Sequence, residues 1–256
     1  MRPPGRSDRH RLRRGAGRGQ VATEYAKVLG SLGGWQKRAW LEGEWDIAAG
    51  QFFTTFNRSV HVVEQFDDTR AAAWFCALDY GFTHFTVCLL GCRDGDGNLF
   101  IVDEHAERKW LPDRHAAAIQ AMLARHGVSV DRLGRFVAGA DVFSRQSDGS
   151  TVAAQYLKLG LKLKPANTER VSGWAEVLQL LGDIEAGIAP RLFIHRRCGR
   201  LLETLPSLQH DPNRPEDVLK IDVDEDGAGG DDCADALRYL VATKSRTVVQ
   251  RKLTGL

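Results

Sequence analysis

The chain has 256 residues, of which 43% are hydrophobic, and this suits one large globular domain with extensions. No apolar run approaches the roughly 20 residues that a membrane-spanning helix needs, and the arginine-rich start lacks the apolar core of a secretory signal. The five cysteines are odd in number and form no C-x-x-C pair, so neither a disulfide framework nor a zinc knuckle is indicated. We therefore expect a soluble intracellular protein with reduced cysteines.

The formal net charge of +2 is unevenly distributed along the chain. The first 20 residues contain seven arginines and one aspartate, set among glycines and prolines, so the remainder is mildly acidic. Because such a segment cannot bury a core, residues 1–20 are predicted to form a disordered basic tail. If the tail lies near DNA, its arginines could instead neutralise phosphates.

Residues 21–70 are interpreted as a lead-in and linker segment. From residue 71 the pattern changes to short buried-strand runs, and a DGDGN sequence before the third run has strong hairpin-turn chemistry. The pattern predicts three consecutive antiparallel strands, at AAWFCALDY (72–80), FTVCLLGC (85–92) and LFIVDEH (99–105).

Helical and strand signals alternate in the rest of the chain. The predicted elements are a helix from Pro112 to about His126, a strand at 135–142, a helix at 151–160, a strand at 161–166, a helix at 169–185, a strand at 191–195, a helix over Leu201 and Leu205, and a final helix at 231–243. This order predicts an α/β, RNase H-like fold, in which a mixed sheet of three antiparallel strands and then alternating strands is flanked by helices. The domain is predicted to span residues 71–245, with a C-terminal tail at 246–256.

Two aspartates stand where predicted strands open into loops. Asp79 ends the first strand, and Asp141 ends the strand RFVAGADV. Since ligands bind at the carboxyl edge of sheets with parallel strands, the two carboxylates are expected to converge on one cation. Each aspartate alone could equally serve as a turn or helix cap.

The sequence GGDDCADALRYL places three further acids at the start of the last helix. Asp231 and Asp235 are spaced i,i+4, and Asp232 and Asp235 are spaced i,i+3, on a helix otherwise patterned for burial. Like charges at those spacings repel unless a cation neutralises them. Asp231 or Asp232 could instead cap the helix, whereas Asp235 lies too far into it.

These oxygen ligands suit two Mg²⁺ or Mn²⁺ ions rather than zinc, as in two-metal nucleases. Asp79, Asp141, Asp232 and Asp235 are the candidate catalytic metal ligands. Asp231 and Glu104 are possible further ligands or supporting residues, although Glu104 could equally be a solvent-facing strand acid.

Five sequence segments, in this order, resemble phage terminase large subunits. They are AWLEGEWDIAAGQFF, ALDYG, VAGADV, NTERVSGWAEVLQLL and GGDDCADALRYL, and the similarity covers about residues 35–243. The resemblance is to the C-terminal nuclease domain and implies an RNase H-like endonuclease that cuts concatemeric double-stranded DNA during genome packaging. It also implies a portal protein, a small terminase subunit and a packaging ATPase domain as partners, in the cytoplasm of the host cell.

Complete terminases begin with a P-loop ATPase, whereas this chain contains no G-x-x-x-x-G-K-[ST] sequence. The lack of this sequence would be explained if the chain were truncated, the product of a split gene or a prophage remnant. Two other functions stay open: a different RNase H-like nuclease, such as a junction resolvase or transposase, or a catalytically silent component that binds DNA or the portal. Arg145, Arg170 and Lys164 are the candidate DNA phosphate contacts, although each could be an ordinary surface charge.

Overall fold

The computed structural model describes residues 50–243. The predicted basic tail, the first part of the lead-in segment and the predicted C-terminal tail lie outside the described residues. Within residues 50–243, no helix is both long and apolar enough to cross a membrane.

A seven-stranded mixed sheet forms the centre of the described domain, with strand order β1-β7-β4-β3-β2-β5-β6. Its strands are β1 (Val62–Val63), β2 (Ala73–Asp79), β3 (Thr86–Arg93), β4 (Leu99–Glu107), β5 (Leu133–Ala138), β6 (Lys164–Pro165) and β7 (Leu192–His195). Strand β3 is antiparallel to both of its neighbours, and the other pairs are parallel. Six strands of this sheet therefore direct their carboxyl ends to the same edge.

The predicted antiparallel meander is confirmed, and its hairpin turn has the expected chemistry. The Asp94 carboxylate accepts hydrogen bonds from the backbone amides of Asp96 and Asn98, at 3.0 and 2.9 Å. Gly97 follows with a φ of 81°, a conformation that glycine adopts without steric cost. The DGDGN sequence thus reverses the chain between β3 and β4.

Six helices flank the sheet within residues 50–243: α1 (Arg58–His61), α2 (Pro112–Arg125), α3 (Val152–Lys158), α4 (Arg170–Leu181), α5 (Gly199–Thr204) and α6 (Asp232–Ala242). Side chains of β2 alternate between two buried cores. Phe75 and Ala77 belong to the core with α4 and α6, and Cys76 and Leu78 belong to the core with α2 and α3. Asp79 continues the first series, so it lies on the face covered by α6.

The expected RNase H-like mixed sheet is confirmed, with differences at the ends of elements. Strand β5 ends at Ala138, and Asp141 lies in the 3-10 turn Ala140–Phe143 that follows. Helix α4 ends at Leu181, earlier than predicted, because Gly182 adopts a φ of 70° and leaves the helical path.

The lead-in segment contributes its described part, residues 50–70, to the domain. Phe53 is fully buried in the core that contains α4 and α6. Strand β1 adds an edge to the sheet beside β7, with Val62 opposite Ile194. Residues 50–70 therefore pack with the domain that was predicted to begin at residue 71.

Candidate metal centre

Asp79 and the residues before Asp141 meet at the carboxyl edge of two parallel strands. Leu78 of β2 is paired with Ala138 of β5, and the Gly139 amide donates to the Leu78 carbonyl at 3.2 Å. A Cβ atom at Gly139 would lie 3.4 Å from Asp79 Oδ1, so this carboxylate lies beside the backbone of the next strand. Asp141, two residues further on, is exposed.

Helix α6 brings the other three acids to the same face of the sheet. Asp232 and Asp235 are buried although they are charged residue types, with 8% and 6% of their surface exposed. Asp231 occupies the N-cap position, but its side chain makes no capping hydrogen bond. The predicted capping role of Asp231 or Asp232 is thus not realised through the Asp231 carboxylate.

Asp79, Asp231, Asp232 and Asp235 form what we call the acidic cluster, and its members interact electrostatically. Burial raises the pKa of Asp79 well above its ordinary value, and the carboxylates of Asp235, Asp232 and Asp231 raise it further. Burial also raises the pKa of Asp231 to about 6, with Asp235 adding to the shift. The pKa of Asp232 is raised chiefly by burial. The nearby positive charges therefore do not fully compensate the negative charge of the acidic cluster.

One acid of the cluster has a dedicated counterion that the sequence analysis missed. Arg238, only 2% exposed, donates from Nε and Nη2 to Asp235 Oδ1 at 3.1 and 2.9 Å. Its Nη1 donates to the Thr168 carbonyl at 2.7 Å, and its guanidinium lies over the Trp174 and Tyr239 rings. The i,i+3 spacing of Asp235 and Arg238 is a sequence signal for such a pair.

Arg170, a predicted DNA phosphate contact, has internal partners in the structure, and its contact with DNA stays a prediction. Its Nε donates to both carboxylate oxygens of Asp217, at 2.9 and 3.1 Å, and Asp217 also accepts from Trp174 Nε1 at 2.9 Å. Arg170 Nη1 lies 3.6 Å from Asp235 Oδ1 and 3.9 Å from Asp231 Oδ2. The guanidinium is therefore an internal partner of the acidic cluster.

Glu104, a possible further metal ligand, instead caps a helix. Its Oε1 accepts from the Arg200 amide at 2.6 Å, and its Oε2 accepts from the Leu201 amide at 3.0 Å. Both carboxylate oxygens thus serve the first turn of α5, where the unpaired amides of a helix favour an acid.

The other two predicted phosphate contacts are exposed, as that role requires. Lys164 lies in the edge strand β6, and Arg145 follows the turn that contains Asp141. Both residues extend from the β5 side of the candidate centre, and their contact with DNA stays a prediction.

The acidic cluster fits a divalent cation by its chemistry. The buried Oδ2 atoms of Asp231 and Asp232 have no hydrogen-bond partner, and an unpaired buried carboxylate oxygen is unfavourable unless a cation meets it. Oxygen donors are those that Mg²⁺ and Mn²⁺ prefer. Among residues 50–243, however, no three Asp, Glu, His or Cys side chains are already close enough together to hold a metal ion.

Comparisons with known proteins agree on the fold. No family model and no curated protein matches the sequence. The large terminase of a thermophilic bacteriophage, solved in complex with ATP-gamma-S, superimposes with a TM-score of 0.57 at 18% identity, over 88% of this chain and 52% of that chain. The P22 large terminase nuclease domain superimposes with a TM-score of 0.58 at 16% identity, over 75% of this chain and 91% of that chain.

The structural likeness defines the class of fold. The chain has the mixed-sheet, RNase H-like fold of a large terminase nuclease domain, as the sequence resemblance implied. It spans about half the length of the large terminase from the thermophilic phage.

Proposed function

We propose that this chain is the nuclease domain of a phage terminase large subunit, a metal-dependent endonuclease that cuts concatemeric double-stranded DNA during genome packaging. The observation that carries the proposal is the acidic cluster: Asp79 at the end of β2 interacts with three carboxylates of the α6 start. Carboxylates gathered at one sheet edge supply the oxygen ligands with which two divalent cations can hydrolyse a phosphodiester.

Asp79 and Asp232 would hold the ions most directly, and the exposed Asp141 would join them from the turn after β5. Asp79 is central, because it interacts with all three acids of α6, and Asp232 offers an Oδ2 without a hydrogen-bond partner. Asp235 would contribute through Oδ2, since Oδ1 already receives two hydrogen bonds from Arg238. Two bound Mg²⁺ or Mn²⁺ ions would supply an activated water and stabilise the leaving oxygen.

Arg238 and Arg170 would position the acids. Arg238 orients the Asp235 carboxylate, and Arg170 lies close enough to Asp231 and Asp235 to offset part of their repulsion. Arg145 and Lys164, both exposed, would contact phosphates on the β5 side. Ion binding is expected to rearrange acidic side chains, since no three of those described lie at ligating distance.

The resemblance to large terminases also suggests where the protein works and with which partners. We propose that it acts in the host cytoplasm with a packaging ATPase domain, a portal protein and a small terminase subunit. The similarity of the chain to about half of the large terminase from the thermophilic phage supports a separate ATPase region.

Plasmid cleavage tests the proposed reaction. With Mg²⁺ or Mn²⁺ the purified protein should nick or linearise supercoiled plasmid with little sequence preference, and with EDTA it should not. The ions should also raise the melting temperature, because a ligand that binds only the native state stabilises it. Cleavage that survives chelation would contradict the two-metal mechanism, and a strong preference for four-way junctions over linear duplex would point to a junction resolvase.

A further inference from the structure

A cavity of about 580 Å³ opens at the edge of the sheet opposite to Asp79. Phe75, near the amino end of β2, and Arg135, near the amino end of β5, lie in its wall together with Arg93 at the end of the antiparallel strand β3. Phe75 is four residues from Asp79 along β2, or about 13 Å at roughly 3.3 Å per residue. The cavity is therefore separate from the candidate metal centre.

Positive charge is concentrated in this cavity. Among the described residues that line it, three are arginines, Arg93, Arg135 and Arg191, and one, Glu176, is an acid. Burial lowers the pKa of Arg135 to about 10, and the charge of Arg93 lowers it further. Burial also lowers the pKa of Arg93, and Arg191 adds to that shift. Partly desolvated guanidinium groups that repel one another are stabilised by a bound anion.

Two of these arginines are held side by side by the same backbone carbonyl. Arg93 Nη1 donates to Gly97 O at 2.8 Å, and Arg191 Nη2 donates to the same oxygen at 3.3 Å. A guanidinium carries five N–H donors, so one shared carbonyl leaves each of them able to bind an oxyanion. A guanidinium can bind phosphate through two parallel N–H donors.

Apart from Glu176 and Gln179, the rest of the described lining is apolar or flat. The Arg135 guanidinium lies 4.2 Å from the centroid of the Phe75 ring, and its Nη2 donates to the Leu240 carbonyl at 2.7 Å, so this stack is fixed. Leu180, Ile188 and Val241 add apolar surface. A cavity of this size, with an apolar wall and a few convergent polar groups, is suited to a small molecule rather than to a duplex.

We propose that this cavity binds a phosphate-bearing small molecule of nucleotide size, with its phosphate against Arg93 and Arg191 and its flat or apolar body against Phe75 and Ile188. A free mononucleotide and the phosphorylated end of a DNA strand share this chemistry. The site is independent of the proposed nuclease function, because it shares no residue with the acidic cluster.

Calorimetric titration of the full chain in EDTA, with AMP, inorganic phosphate and adenosine as separate probes, tests the proposal. AMP should bind saturably, inorganic phosphate more weakly, and adenosine not at all. Arg191→Gln, at an exposed position, and Arg93→Gln should each weaken AMP binding about tenfold through the loss of a charged phosphate contact. Arg132→Gln, another exposed arginine outside the cavity, is the matched control and should bind as the parent does.

Absence of saturable AMP binding at millimolar concentrations, or equal weakening by Arg132→Gln, would overturn the proposal. A 5′-phosphorylated oligonucleotide that displaces AMP identifies a DNA end as the source of the phosphate, and one that fails to displace it identifies a free nucleotide. Plasmid cleavage by Arg191→Gln should match that of the parent, so the outcome is distinguishable from a failure of the nuclease proposal.

Discussion

Asp79, which is half-buried, and Asp103, which is buried, are two aspartates of the same sheet with different surroundings. Burial alone would raise the pKa of Asp103, but hydrogen bonds from His126 and Arg125 lower it below the ordinary value. Its Oδ2 accepts from Arg125 Nε and Nη2 at 3.1 and 2.9 Å and from His126 Nε2 at 3.2 Å. Asp79 instead faces three further carboxylates, and its pKa is raised.

The difference separates a carboxylate that holds the fold together from one that is ready for a ligand. Asp103 has its full complement of donors, including the Glu104 amide at 2.9 Å, and stabilises the junction of β4 and α2. The acidic cluster is undercompensated, so a cation should bind there with a gain in stability. Burial by itself does not identify a functional acid, whereas the balance of charge around it does.

The largest expected effect is on cleavage. Asp79→Asn should reduce it roughly a thousandfold or more, because metal catalysis contributes several kcal/mol to lowering the barrier. In EDTA the same variant should be as stable as the parent or more stable, since it removes like-charge repulsion at nearly constant shape. Plasmid assays and thermal unfolding measure the two effects. Full activity, or inactivity explained by unfolding, would place the site elsewhere.

Asp141→Asn and Asp235→Asn extend this test to the neighbouring strand and the helix. Both should abolish cleavage. Only Asp235→Asn should also reduce stability, because it leaves the buried guanidinium of Arg238 without its carboxylate. Equal stability of the two variants would show that the pair with Arg238 does not hold the helix in place.

Asp103→Asn should give the opposite pattern to Asp79→Asn. We expect a loss of about 2 kcal/mol in the free energy of unfolding, because hydrogen bonds between charged groups are lost. Cleavage by the folded protein should be unchanged. Asp131→Asn, at an exposed position, is the control, and chemical denaturation is the measurement. A stable but inactive Asp103→Asn would reverse the assignment of structural and functional acids.

The pH dependence of stability should distinguish the two environments again. The pKa of Asp231 is about 6 in the folded chain, above its ordinary value, so the folded state binds more protons than the unfolded state between about pH 4 and 6. Metal-free stability should therefore fall as pH rises through that window. Asp103, with a lowered pKa, contributes stability that is present above about pH 4 and is lost only at lower pH.

Chemical unfolding in EDTA at about pH 4.5 and pH 7 measures this effect. Asp231→Asn should reduce the difference between the free energies of unfolding at the two pH values. Mg²⁺ at pH 7 should restore stability to the parent. A parent protein that becomes more stable between these pH values would indicate that Asp231 is compensated in solution.

The smallest expected effect concerns the basic tail, residues 1–20, whose arginines could be neutralised by DNA phosphates. Deletion of residues 1–20 should leave the fold intact. If the tail binds DNA, the deletion should also lower the log–log salt dependence of binding by about 0.9 for each phosphate that the tail neutralises. Fluorescence anisotropy with a short duplex at several salt concentrations measures the slope. An unchanged slope would show that the tail does not contact DNA.

Strand ends and the last helix could be predicted from local sequence, and so could the acids they carry. Buried-strand runs place Asp79 at a carboxyl edge, and the apolar pattern after Asp232 indicates a helix. The partners of those acids could not be predicted in the same way. Asp217 lies in a polar stretch without periodicity, and its contact with Arg170 depends on tertiary packing.

Glu104 is an acid whose tertiary partners, likewise, could not be predicted from local sequence. Its position near the end of a strand resembles that of Asp79, and local sequence cannot distinguish them. The two acids differ because Glu104 accepts hydrogen bonds from the Arg200 and Leu201 amides, which lie almost a hundred residues later in the chain. Which strand-end acids remain open to a cation is decided by long-range contacts.

Gly173 of α4 packs directly against Arg238 of α6. A Cβ atom there would lie 2.5 Å from Arg238 Cγ and 2.9 Å from Cδ, so any side chain at this position must displace the arginine. Because Arg238 is the counterion of Asp235, a side chain at position 173 would disturb this ion pair of the acidic cluster. A substitution of Gly173 is thus expected to change the metal affinity of the acidic cluster, although none of its acids is altered.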